Sequence, residues 1–131
     1  MAARIQAINA YRPKIDLADS VQQPELVRLL ADRTGLNEGE VSLVLKELRD
    51  VVIFYNREAR GVKLEGLGTY LPKIGLDGRF SVSHRLDRDI VRGINTPGTF
   101  TGIIINDENI GKTADELVAM WNAAHPDDPV T

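Results

Sequence analysis

Between Val41 and Tyr55 the apolar residues Val41, Val44, Leu45, Leu48, Val51, Val52 and Tyr55 recur at intervals of three and four, so a helix through this stretch carries an apolar stripe along one face. Asn37-Glu38-Gly39-Glu40 supplies an N-cap residue and, three positions on, the glutamate of a capping box, with Leu36 and Val41 placed as a hydrophobic staple. The face stays apolar to about Arg60, which predicts a helix of roughly six turns. A shorter helix precedes it: Pro24 suits a first-turn position, Leu26, Leu29 and Leu30 with Val27 form its stripe, and Gly35 is a natural stop. That partner is too short to cover the longer stripe, so the excess needs a sheet, a second subunit or both. A recognition helix of the helix-turn-helix kind exposes a polar face and rarely needs such length, so the long helix reads as a core or dimer element.

The remaining chain is expected to form a mixed α+β structure. Arg4–Tyr11 mixes apolar and polar residues without a clean period and is read as an edge strand, interrupted by Pro13. After Gly61 the period falls to two, with Val62 and Leu64, then Tyr70 and Leu71, in a strand that holds Gly66 and Gly68 inside it. Glycines on both sides of Leu67 point to a bulge or a close backbone approach. Asp77-Gly78 marks a hairpin, and Phe80, Val82, His84 and Leu86 alternate with polar residues, so these strands are antiparallel neighbours and His84 is expected to be partly buried and hydrogen-bonded. The spacing of Leu86, Ile90 and Ile94 suits a helical turn over Asp87–Ile94; Asn95–Gly98 reads as a turn and Thr99–Asn106 as a further strand. Thr113 and Glu116 cap a last helix with Ala114, Leu117, Val118 and Trp121 on its apolar side, and Pro126 and Pro129 should keep the tail extended.

Composition bounds the function. At 131 residues, 43% hydrophobic and 27% charged, the chain is expected to be a single globular domain. It has no cysteine and only two distant histidines, which speaks against thiol chemistry and a metal centre. No run approaches the roughly 20 apolar residues of a membrane span and Met1–Tyr11 lacks a signal-peptide core, so a cytoplasmic protein is expected. The net charge of −3 hides an uneven distribution, with balances of −1 over 1–56, +3 over 57–100 and −5 over 101–131. Arg79, Arg85, Arg88 and Arg92 crowd the basic middle, with Asp87 and Asp89 between them. They read either as a solvated face of mixed charge or as an anion-facing patch. The Asp87/Asp89 pair has no nucleophile, metal-ligand set or phosphate loop beside it, so no catalytic residue, cofactor or small-molecule substrate is expected.

The phrase Val62-Lys63-Leu64-Glu65-Gly66-Leu67-Gly68-Thr69-Tyr70, following a two-helix hairpin, resembles the histone-like HU/IHF family of bacterial DNA-bending proteins. In that family a Gly-aromatic-Gly-Thr-aromatic strand precedes a β arm and a Gly-Lys that opens a final helix. Here Leu67 stands for the first aromatic, Tyr70 keeps the second, and Gly111-Lys112 matches the last element with Ile110 in place of proline. The resemblance covers about residues 22–121 and implies an HU/IHF-like domain over 22–124, between an N-terminal extension 1–21 and an extended tail 125–131. It implies a helical hairpin, an antiparallel three-strand sheet with an arm and a short C-terminal helix. It further implies a homodimer with Leu45, Leu48, Val52, Leu67 and Tyr70 in the shared core, binding double-stranded DNA with little sequence specificity. Lys73, Arg79, Arg85, Arg88, Arg92, Pro97 and Lys112 are the DNA-binding candidates. Asn95-Thr96-Pro97 is the nearest counterpart of the family's Arg-Asn-Pro arm tip and lacks its arginine, and Pro97-Gly98 is also an ordinary turn pair. Lys112 stands where the free amides of a helix N-terminus could help it hold a phosphate. The alternative is a self-associating module of the same fold without DNA binding.

Overall fold

The computed structural model describes all 131 residues, and they fall into two compact units, Ser20–Phe100 and a second made of Met1–Asp19 with Thr101–Thr131. Two cores therefore replace the single one expected, and the division differs from the boundaries 1–21, 22–124 and 125–131. The chain runs through α1 (Arg4–Tyr11), β1 (Lys14–Asp16), α2 (Gln23–Thr34), α3 (Glu38–Arg57), β2 (Val62–Leu64), β3 (Gly68–Ile74), β4 (Phe80–Leu86), α4 (Arg88–Ile94), β5 (Ile103–Ile105) and α5 (Ala114–Ala124).

In the Ser20–Phe100 unit, α2 and α3 form the expected hairpin. Gly35 ends α2 in the left-handed region at φ 78°, which a side chain would resist. Asn37 caps α3: its Oδ1 accepts from the Glu40 backbone N–H at 2.8 Å and its Nδ2 donates to the Glu40 carboxylate at 2.7 Å, so the box closes through side chains. Val27 and Ala31 of α2 bury Val41 of α3, with Leu30 and Leu45 packed around them.

The sheet order is β2-β3-β4, antiparallel throughout. The glycine pair does not lie inside one strand. Leu64–Leu67 is a tight turn, closed by Leu67 N–H on the Leu64 carbonyl at 3.0 Å with Gly66 at φ +79°, and Gly68 starts the next strand. The close approach is real, because a β-carbon at Gly68 would lie 2.5 Å from both the Arg85 carbonyl oxygen and His84 Nε2. Pro72 is tolerated in the middle strand because β2 pairs only with Gly68–Tyr70, leaving no ladder partner for the missing N–H on that side. Strands β3 and β4 pair from Gly68↔Leu86 to Ile74↔Phe80 and close at Gly75–Arg79, where Gly75 N–H meets the Arg79 carbonyl at 2.9 Å. No long arm leaves this hairpin. Residues 88–94, where the sequence allowed a helical turn, form α4, capped by Asp87 accepting from Asp89 N–H at 2.8 Å.

The other unit carries the main corrections. Arg4–Tyr11 is a helix and not an edge strand, since the fully buried Ala7 lets α1 lie close against Trp121 of α5. Strand β5 pairs with β1, not with the three-stranded sheet. The tail is not extended: Trp121 Nε1 donates to the Asp128 carbonyl at 2.8 Å, Asn122 Oδ1 accepts from Val130 N–H at 2.8 Å, and Val130 packs on the core. Thr113 caps α5 as expected, accepting from Glu116 N–H at 3.2 Å. No helix of the chain is long and apolar enough to cross a membrane.

Candidate nucleic-acid interface

Alternation along the strands gives the three-stranded sheet two unlike faces. Cross-strand partners share a face, so Val62, Leu64, Tyr70, Pro72, Ile74, Phe80, Val82 and Leu86 fall on one side, and Lys63, Thr69, Leu71, Lys73, Ser81, Ser83 and Arg85 on the other. The apolar side faces α3, where Asn56 Nδ2 donates to the Tyr70 carbonyl at 3.4 Å. It is poorly covered. Two adjoining grooves of about 390 and 360 Å³ run between α3 and the sheet, lined among others by Leu45, Leu48, Val52, Ile53, Phe80 and Val82. Phe80 remains 78% exposed and Phe54 57%. Of the expected dimer-core residues, Leu45, Leu48, Val52 and Tyr70 meet in these grooves; Leu67 lies apart from them, exposed in the β2–β3 turn.

On the polar side the register sets Lys63, Thr69 and Arg85 in one row across the three strands. Asp87 N–H bonds the Leu67 carbonyl at 2.9 Å, fixing the start of α4 beside that row. The result is an open concavity of about 500 Å³ lined by Lys63, Thr69, Arg85, Arg88 and Arg92, together with Asp87 and Asp89. Set against the four cations, the two carboxylates leave the concavity a net charge of about +2, although they make few close ion pairs. Asp87 is engaged as a helix cap, and only Arg92 reaches a carboxylate, that of Asp89, at 3.9 Å between two mostly exposed groups. Lys63, Arg85 and Arg88 make no ion pair. Four cationic side chains, three of them without an ion-pair partner, thus share one concave polar surface with two carboxylates.

The other expected site residues lie elsewhere. Lys73 sits opposite Ser81 toward the far end of the hairpin. Arg79 ends its loop, six residues from Arg85 and so about 20 Å along the strand. Pro97 occupies the exposed turn after α4 and is at no arm tip. Lys112 belongs to the other unit, where four basic residues stand against eight acidic ones, and its Nζ lies 3.6 Å from Met120 Sδ next to the acidic first turn of α5. His84 is exposed and its ring makes no hydrogen bond, lying instead tilted against Tyr70 with ring centroids 4.7 Å apart, because the apolar face around it is uncovered. Lys63 is the residue that sequence reasoning missed. Its place shows only once Glu65–Leu67 is seen as a turn, which folds Lys63 back beside Thr69. Among known proteins, no family model and no curated sequence matches this chain.

Proposed function

We propose that the chain is a non-enzymatic, HU-like protein that binds double-stranded DNA as a homodimer, with little sequence preference. The observation that carries this reading is the concavity in which Lys63, Arg85, Arg88 and Arg92 converge while three of them lack any carboxylate partner. Guanidinium forks match phosphate oxygens, and contacts to phosphate position a protein on DNA without reading bases. The sheet face and α4 take the role that the sequence resemblance gave to a β arm. The uncovered α3 and sheet surface favours the dimer.

A second reading is favoured by Asp87 and Asp89 in the same concavity and by the overall charge of −3: a self-associating structural module that does not bind DNA. Anisotropy of a labelled duplex separates the two. Neutralising about four phosphates gives a slope of log affinity on log salt near −3.6, so raising salt from about 50 to 200 mM should weaken binding roughly a hundredfold. The double variant Arg85→Ala/Arg88→Ala should about halve the slope with the fold intact, since both side chains are exposed. Absence of binding at low salt, or an unaltered slope, selects the structural module.

A further inference from the structure

The β1–β5 ribbon is left unfinished by its own chain. It has three residues per strand, belongs to no buried cluster, and exposes Ile103, Ile104, Ile105 and Ile15. A two-stranded ribbon is marginal in water and gains stability when further strands extend it. Its two outer edges differ. Strand β1 follows Pro13 and carries Lys14 and Asp16, the residues that discourage strand addition, whereas β5 is three isoleucines with no charge, and its backbone makes no hydrogen bond beyond the ladder with β1.

We propose that β5 is a self-association edge, pairing antiparallel with β5 of a second copy about a two-fold axis at Ile104. The sequence is self-complementary in that register. Ile104 meets the copy's Ile104, and Ile103 meets the copy's Ile105. The ladder ends there, because Asn106 turns into the left-handed region at φ 60° and Asp107–Asn109 form a 3-10 turn, so no acidic residue lies within the paired segment although this unit carries a balance of −4. The four-stranded sheet that results aligns Ile15 and Ile104 of both copies in one apolar row, because Ile15 and Ile104 are cross-strand partners. Its outer strands are the charged β1 pair, which stops further addition. A three-residue ladder is small beside the roughly 1,200–2,000 Å² of a stable interface, so the contact is weak and depends on concentration.

The chain has no cysteine, so a single introduced thiol reports the contact directly. In the full-length protein, Ile104→Cys keeps a small apolar side chain and should shift under mild oxidation from one-chain to two-chain mass on a non-reducing gel. Ile15→Cys, on the charged strand, should stay largely at one-chain mass. In sedimentation across rising concentration, Ile104→Lys should lose the mass increase shown by the parent protein, whether that protein starts as a monomer or as a dimer formed through α3. Equal trapping at positions 104 and 15, or a concentration dependence that Ile104→Lys leaves unchanged, overturns the proposal. Should the lysine variant fail to fold, oxidative trapping of the Ile104→Cys variant against the Ile15→Cys variant decides alone.

Discussion

Gly68 is held by its neighbours and not by its own torsion angles. A valine there would place its Cβ against the Arg85 carbonyl and the His84 ring, and a backbone oxygen cannot swing aside, so Gly68→Val should cost about 1–3 kcal/mol, read as a lowered melting temperature. Gly93→Ala is the matched control. Nothing lies within 4 Å of its added carbon, and α4 gains a better helix former, so its melting temperature should hold or rise. Asn109 presents the opposite case, a polar side chain 1% exposed whose Nδ2 donates to the Tyr11 carbonyl at 2.7 Å while its Oδ1 is unpartnered. Asn109→Ala leaves that half-buried carbonyl without its donor and opens a void at the buried side chain, and should destabilise the unit containing Trp121 by about 1–3 kcal/mol, followed by the fluorescence of that single tryptophan. The contrast explains what could be read in advance. Gly35, Asn37 and Thr113 act on backbone within four residues of themselves and were legible, whereas Asn109 acts across 98 positions and has no local signature.

Helices whose stripe is long were legible as elements; α3 is one, and its excess apolar face is uncovered as its length implied. α1 was not legible, because a single small residue, Ala7, is its only buried position and the helix shows no clear apolar stripe. The hairpin β2–β3 was hidden for a related reason: a three-residue turn and two strands look like one alternating strand until Gly66 is seen at positive φ. The same fact hid Lys63 from the candidate site, while Arg85, Arg88 and Arg92 were found from their crowding alone. If the close α1–α5 packing depends on Ala7, the change Ala7→Leu should overpack it and cost about 1–3 kcal/mol. The loss should appear in the Trp121 signal; unchanged fluorescence melting would mean that α1 is held by its ends instead.

Between the two units charge is unevenly divided, while both expose apolar surface. The Ser20–Phe100 unit has a balance of +1 and the uncovered groove beside α3; the other unit has a balance of −4. The dimer reading predicts sedimentation at micromolar concentration with twice the chain mass. Phe80→Lys should return it to one chain with its circular dichroism unchanged, because Phe80 lines the groove yet is 78% exposed and supports little of its own chain's core. A parent protein that already sediments as a monomer would remove this interface.

The way α1 and α5 share one unit on either side of Ser20–Phe100 sets the order in which these units can form. α1 leaves the ribosome about 110 residues ahead of its partner α5, which at the usual rates of synthesis is about 5–20 s. During that wait Ala7 has no tryptophan to cover it, while α2, α3 and the sheet, whose partners are all close in sequence, have everything they need to form. The Ser20–Phe100 unit is thus complete while the unit that encloses it in sequence is still half-synthesised, and a growing chain spends seconds with α1 uncovered, within reach of chaperones or proteases.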